Sequence, residues 1–323
     1  MSLKPLIIVA GEPYSIFSEI FLKLYNKKIK KLKTPIILIA SKRLFKKQML
    51  KLKYSFRLNS IISDDILKTK IDNNFINLID VNFKFNKTFD KISYKSSNYI
   101  KKCFDIALNI LKKNKAIGLI NGPVSKKFFL KKKHLGITEY LSKKSKIHNS
   151  VMLIFNDKLA VSPITTHLPL KYVSKQITKE KIIYNVIKIN EFYKKCIKKK
   201  ISIAVLGLNP HCETIDSFSE EEKIIIPAIK TLKKKNINIY GPFSSDTFFQ
   251  KKNLKKFQVV IGMYHDQVLT PIKTLYKFDA VNITLGLPYL RISPDHGTNN
   301  EMLGQKKSDP QSLYSAINFF NKI

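Results

Sequence analysis

Three histidines carry the chemistry that this sequence most directly suggests. His167 ends the run Leu159-Ala-Val-Ser-Pro-Ile-Thr-Thr-His167, His211 ends Ile201-Ser-Ile-Ala-Val-Leu-Gly-Leu-Asn-Pro-His211, and His265 ends Val259-Val-Ile-Gly-Met-Tyr-His265. Each sits just past an apolar, β-branched stretch, where a predicted strand gives way to a loop. In open α/β sheets ligands bind at that edge. Imidazoles converging there would hold one divalent metal and leave positions open for a substrate. For any one of them the alternative is a loop histidine or a satisfied polar residue, and their wide separation is no local metal motif. His134 and His148 lie in lysine-rich stretches and read as solvent-facing. His296, in Ser293-Pro-Asp-His-Gly-Thr298, also follows a strand and stays a candidate.

A second group is basic. Lys273, Asn282 and Arg291 fall within a short span, with Arg291 directly after Leu285-Gly-Leu-Pro-Tyr-Leu290. Of 59 lysines and arginines, only Arg43, Arg57 and Arg291 are arginines. A guanidinium fork gives bidentate hydrogen bonds to phosphate or carboxylate that lysine cannot match. An arginine in such a chain therefore invites a reason, the alternative being an ordinary surface residue.

The elements that must position these groups alternate. Apolar runs at Leu6–Ala10, Pro35–Ala40, Ile117–Ile120, Val151–Phe155, Ile201–Leu206, Val259–Met263 and Val281–Leu285 read as strands, and 97–113, 178–197 and 220–234 have helical periodicity. Short continuous apolar runs between amphipathic helices imply a mainly parallel sheet covered on both faces. Ser219 with Glu222 forms a capping box before an isoleucine-rich helix. Asp309-Pro310 opens a last helix carrying Leu313, Ala316, Ile317 and Phe320. Cys103 shares an apolar helix face with Ile100, Phe104, Ala107 and Leu111, so core packing is its expected role. Gly is scarce, with ten residues, and no G-x-G-x-x-G follows the first strand, which argues against an ordinary Rossmann dehydrogenase.

The bulk composition narrows the class. A chain of 323 residues with 44% hydrophobic content is globular and long enough for two lobes. No apolar run approaches the ~18–20 residues of a membrane span, and the first apolar stretch is too short for a signal peptide, so a cytoplasmic protein is expected. Cys103, Cys196 and Cys212 make no C-x-x-C pair and no disulfide framework. The formal charge of +36 raises nucleic-acid binding as a reading from a different class. Yet the charge is nearly all lysine, spread in short runs such as 26–33, 131–133 and 198–200. That pattern suits solvated faces better than a reader of phosphates and bases.

The same residues lie in words that resemble the 4-hydroxythreonine-4-phosphate dehydrogenase family: Gly122-Pro-Val-Ser-Lys126, Thr165-Thr-His-Leu-Pro-Leu170, Gly207-Leu-Asn-Pro-His211, Gly241-Pro-Phe-Ser-Ser-Asp-Thr247, Met263-Tyr-His-Asp-Gln267, Val281-Asn-Ile-Thr-Leu-Gly-Leu-Pro288 and Asp295-His-Gly-Thr298. They run in consistent order from the Gly11-Glu-Pro13 turn to the final helix. The resemblance implies an α/β fold of the isocitrate and isopropylmalate dehydrogenase type, with two α/β/α lobes, a mostly parallel sheet, no Rossmann fingerprint and an active-site cleft between the lobes. The first lobe, on the cofactor side, is expected over 1–125 plus 284–323, and the second, carrying the metal ligands, over 126–283. It further implies a homodimer in which a divalent metal (Zn, Mg or Co) is held by His167, His211 and His265, with the third ligand from the partner subunit. Thr138, Lys273, Asn282 and Arg291 match the family's substrate contacts.

Three departures bear on substrate and cofactor. Gly136-Ile-Thr-Glu139 has isoleucine where the family often has histidine. The first turn continues Tyr14-Ser-Ile-Phe-Ser18 rather than with glycines, and Cys212-Glu-Thr-Ile-Asp216 replaces a glycine-rich run.

The activity so implied is NAD- or NADP-dependent oxidation of 4-phosphohydroxy-L-threonine to 2-amino-3-oxo-4-phosphobutanoate. Loss of carbon dioxide then gives 3-amino-2-oxopropyl phosphate, on the route to pyridoxal 5'-phosphate (vitamin B6). In that chemistry the metal lowers the pKa of the substrate hydroxyl and stabilises the enolate left by decarboxylation. Asp246 and Asp266 are candidates to orient metal-bound imidazoles or to act as a base. The nearest alternative is the same chemistry on another phosphorylated four-carbon acid, such as phosphoerythronate.

Overall fold

Short apolar, β-branched runs build most of the strands, and those nearer the middle of each unit's sheet are buried along most of their length, as parallel strands covered on both faces must be. The computed structural model describes residues 3–323 except 132, 133, 135, 277–279 and 295. Lys132 and Lys133 of one lysine run, and Asp295 of the word Asp295–Thr298, thus lie outside the described residues. The strands are β1 (Leu6–Val9), β2 (Ile36–Ala40), β3 (Leu58–Ser60), β4 (Ile76–Asp80), β5 (Gly118–Asn121), β6 (Val151–Phe155), β7 (Ala160–Thr165), β8 (Ile203–Leu206), β9 (Ile239–Phe243), β10 (Val259–Tyr264), β11 (Val281–Leu285) and β12 (Arg291–Ser293).

The chain forms two compact units, 1–148 with 287–323, and 149–286. The sequence reading placed the divisions at 125/126 and 283/284. The difference at the first is segment 126–148, which the first unit holds through its own packing: Phe129 stacks on Phe104 at 6.1 Å between centroids, and Tyr140 meets it edge-on at 5.8 Å.

In the first unit the strand order is β3-β4-β2-β1-β5-β12, and every pairing is parallel. The helix Ser97–Lys112 covers this sheet with Tyr99, Ile100, Cys103, Phe104, Ala107, Ile110 and Leu111 buried. That is the face read from the sequence, and Cys103 is wholly buried in it. Each large apolar side chain so buried contributes roughly 1.5–3 kcal/mol. The last helix, Gln311–Lys322, buries Leu313, Ala316, Ile317 and Phe320, and Asp309 Oδ1 accepts from the Gln311 amide at its start.

In the second unit the order is β11-β6-β7-β10-β8-β9. The strands from β7 to β9 pair in parallel, whereas β6 runs antiparallel to both neighbours. The expected helix over 220–234 is a π-type turn, Glu221–Ile225, running into the α-helix Ile226–Lys234. Ser219 Oγ accepts from the Glu222 amide at 3.3 Å, as the capping box requires. Among the described residues no helix is long and apolar enough to cross a membrane.

Candidate active site

In the second unit, β10 lies between β7 and β8 and pairs with both in parallel. All three strands therefore end at one edge, and the segments that carry His167, His211 and His265 leave from it. Thr165 is in register with Tyr264, so the segments just beyond them stay adjacent. The His167 and His265 rings lie 5.4 Å apart between centroids. His265 opens the helix His265–Tyr276, and its Nδ1 is 2.6 Å from Asp266 Oδ1. That contact directs Nε2 away from the carboxylate, which is how outer carboxylates orient metal-binding imidazoles.

His211 is placed differently. It is exposed, in the turn Pro210–Cys212, with Nδ1 3.8 Å from Asp246 Oδ2. At that distance the two share no hydrogen bond. Asp246 is itself held below the usual carboxylate range, chiefly by the hydroxyl of Ser244, 2.5 Å away. The structure thus pairs His167 with His265 and sets a carboxylate beside His265 and beside His211. Among the described residues no three His, Cys, Asp or Glu side chains are close enough to hold a metal ion. Two neighbouring imidazoles, one backed by a carboxylate, fit a divalent ion as a partial ligand set. The backbone is left-handed at His167 (φ 38°), His211 (φ 54°) and Cys212 (φ 62°). Non-glycine residues seldom adopt this conformation, and it concentrates at functional sites.

The other residues singled out in this unit are Lys273 and Asn282. Lys273 is exposed on the helix His265–Tyr276. Asn282 is on β11, and its Oδ1 is buried without a hydrogen-bond partner among the described residues. A buried carbonyl oxygen left so costs about 1–3 kcal/mol, which a ligand donor would offset.

In the first unit Arg291 starts β12 and is wholly buried, so it is no surface arginine. Its Nε donates to Asn121 Oδ1 at 2.8 Å, and Nη1 donates to Thr138 Oγ1 at 3.1 Å. Two residues from distant sequence words, Thr138 and Arg291, therefore meet. Parallel pairing of β12 with β5 sets Arg291 opposite Leu119 and brings Asn121 within reach. Burial lowers the Arg291 pKa to about 10, against the opposing charges of Tyr289 and Glu139. Asn121 was missed by the sequence reading; its signal is a polar residue at the end of an apolar run, just where β5 stops. Ile137, in place of the family's frequent histidine, packs against the apolar cluster of this unit.

Glu12, in the turn after β1, is a second group that sequence reasoning passed over. It is buried and accepts from Ser96 Oγ at 3.1 Å, and burial pushes its carboxyl up to about 7. His296 also lies in this unit, with Nδ1 3.2 Å from the Gly297 carbonyl oxygen. His134 is half-buried and meets the Tyr140 ring edge-on at 5.6 Å, rather than facing solvent as its lysine-rich surroundings suggested.

The profile of the family described as pyridoxal phosphate biosynthetic protein PdxA matches residues 31–320. A protein of Sulfurihydrogenibium sp. (strain YO3AOP1) named 4-hydroxythreonine-4-phosphate dehydrogenase is 39% identical, over 97% of this chain and 96% of its own length. The Bradyrhizobium diazoefficiens protein of the same name is 37% identical over 65% of this chain and 63% of its own. The solved 4-hydroxythreonine-4-phosphate dehydrogenase from Klebsiella pneumoniae has the same fold, with a TM-score of 0.85 over 98% of both chains at 24% identity. This chain belongs to the family of the pyridoxal phosphate biosynthetic protein PdxA.

Proposed function

We propose that this protein oxidises 4-phosphohydroxy-L-threonine at its hydroxyl with NAD or NADP, giving 2-amino-3-oxo-4-phosphobutanoate, which decarboxylates to 3-amino-2-oxopropyl phosphate. The observation that carries the reading is the match along 97% of the chain to a relative named for this substrate. The site chemistry supports it. Wholly buried Arg291 and half-buried Thr138 suit an anionic group, and Lys273 and Asn282 carry a cation and an amide. In this reading each is a substrate contact that converts binding energy into orientation of the reacting carbon.

His167, His211 and His265 would hold a divalent ion (Zn, Mg or Co), which supplies Lewis acidity toward the substrate oxygen when bound. Asp266 holds the His265 ring by its Nδ1 and Asp246 stands 3.8 Å from His211 Nδ1; in this scheme the two carboxylates orient imidazoles or one serves as a base. The protein works in the cytoplasm as a homodimer, with the third metal ligand coming from the partner subunit. Exposed Leu170, Tyr172, Ile215 and Phe218 on the second unit support self-association, since apolar side chains gain by burial.

The test is NAD(P)H formation with 4-phosphohydroxythreonine and, separately, phosphoerythronate. Faster turnover of the threonine derivative supports the assignment. A preference for phosphoerythronate moves the activity to the related acid. No reduction with either, alongside salt-dependent binding to DNA or RNA, would place the protein in another class.

A further inference from the structure

The three histidine-bearing strand ends of the second unit are tied to one another by side chains that carry none of the histidine chemistry. Thr165 Oγ1 donates to the Met263 carbonyl oxygen at 2.8 Å, joining the end of β7 to the end of β10. Gln267 Oε1 accepts from the Met263 amide at 2.7 Å, and its Nε2 donates to the Gly207 carbonyl oxygen at 2.7 Å, joining β10 to the end of β8. Glu221 Oε1 then accepts from the Leu208 and Asn209 amides at 2.7 and 2.9 Å. Asn209 Nδ2 donates to Glu221 Oε2 and to Glu220 Oε2, both at 3.0 Å. Glu220 Oε1 accepts from Ser174 Oγ at 2.5 Å, in the segment that follows His167. The backbone from Thr165 to Ser174 completes the circuit.

Its members are built in rather than incidental. Thr165, Gln267, Glu220 and Glu221 are all buried, Glu221 to 1% exposure. Burial alone would raise the Glu221 carboxyl, yet the hydrogen bonds from Asn209 and Leu208 outweigh it and hold the group ionised. A Cβ added at Gly207 would stand 2.7 Å from Cys212 Sγ and 3.0 Å from Glu221 Oε1, so the loop is closed down on the carboxylate. Just beyond lie His211 and Cys212, both left-handed, a conformation that persists only where surrounding structure imposes it.

We infer that Thr165, Gln267 and the Glu220–Glu221 pair form a hydrogen-bonded ring that sets the mutual register of the three histidine-bearing segments, as positioning residues for the divalent-cation sites to which these histidines contribute. The ring acts through backbone, touching neither ion nor substrate. This inference rests on the proposed role of the histidines, and the test separates the two.

Co(II) is titrated into the full-length protein and followed by its visible absorption, with thermal unfolding measured in parallel. Thr165→Val and Gln267→Met, close in volume to the originals, remove the ties to Met263 and Gly207, and Glu221→Gln removes the charge on the loop. Each is expected to weaken Co(II) binding about tenfold or more, as loss of outer-shell partners does, and to alter the visible bands. Thr231→Ala, which deletes a hydroxyl bond to the Pro227 carbonyl oxygen away from the ring, is the control for stability alone. It should lower the melting temperature without changing the Co(II) titration. Ring variants that melt earlier but bind Co(II) with wild-type affinity and spectrum would overturn the inference. Failure of the wild-type protein to bind Co(II) would instead remove the histidine site, and the ring's role with it.

Discussion

Arg291 shows at the scale of one residue how much a sequence can signal. In a chain that meets nearly every need for positive charge with lysine, an arginine after a Gly-Leu-Pro turn stood out, and it is wholly buried with Asn121 and Thr138 as partners. Arg291→Lys keeps the charge and loses the fork. Hydrogen bonds from charged groups contribute about 1.5–3 kcal/mol, so kcat/KM should fall about 10- to 100-fold, measured by steady-state kinetics with unfolding checked separately. Glu12 gave no such signal, because burial of a carboxyl depends on what folds over it. Folded, it titrates near 7, against 4.5 for a free carboxyl. The folded state therefore holds the proton longer. Its contribution is fully present below pH 4.5 and is lost as pH rises through 7. At about 1.4 kcal/mol per pKa unit the loss is up to ~3 kcal/mol. Glu12→Gln should flatten this decline, so that urea midpoints at pH 5 and pH 8 lie closer together than in the wild type.

Elements with strong periodicity were legible and short ones were not. The helix Ser97–Lys112 buries the stripe its spacing announces, and the apolar runs at 6–10, 35–40, 151–155 and 281–285 are strands. The strands β3, β4, β9 and β12 escaped for physical reasons. β3 and β12 are too short to show a pattern. β4 is interrupted by Asn77, whose side chain is satisfied by the Ile36 and Asp72 carbonyls. β9 contains Gly241-Pro242, tolerated because this strand lies at the sheet edge. In the site, the strand-end rule brought His167 and His265 together. The position of the His211 ring depends on a left-handed turn, which periodicity does not encode. Close packing gives the prediction at this scale. A Cβ at Gly118 would fall 2.3 Å from the Phe320 ring and 2.8 Å from the Leu290 carbonyl oxygen. Gly118→Ala should destabilise the first unit by about 1–3 kcal/mol, read as a lower urea midpoint.

For the whole molecule, the net charge of +36 and the exposed apolar side chains are the features no single site explains. A positive field draws anionic substrates and dinucleotides toward the protein, so the charge is compatible with catalysis and requires no nucleic-acid partner. The proposed self-association would assign a use to exposed Ile215 and Phe218. Ile215→Asp with Phe218→Asp should shift the protein from dimer to monomer in sedimentation velocity, and turnover should fall with it. The central claim is that widely separated histidines serve one cation in the oxidation of a phosphorylated hydroxy acid. Its most direct measurement is NAD(P)H formation from 4-phosphohydroxythreonine before chelation, after chelation and after return of a divalent metal, in the wild type and in His211→Ala. Activity that disappears with chelation, returns with metal and stays absent in His211→Ala is the predicted result. Full turnover in the chelated wild type, or full metal-stimulated turnover in His211→Ala, would contradict it.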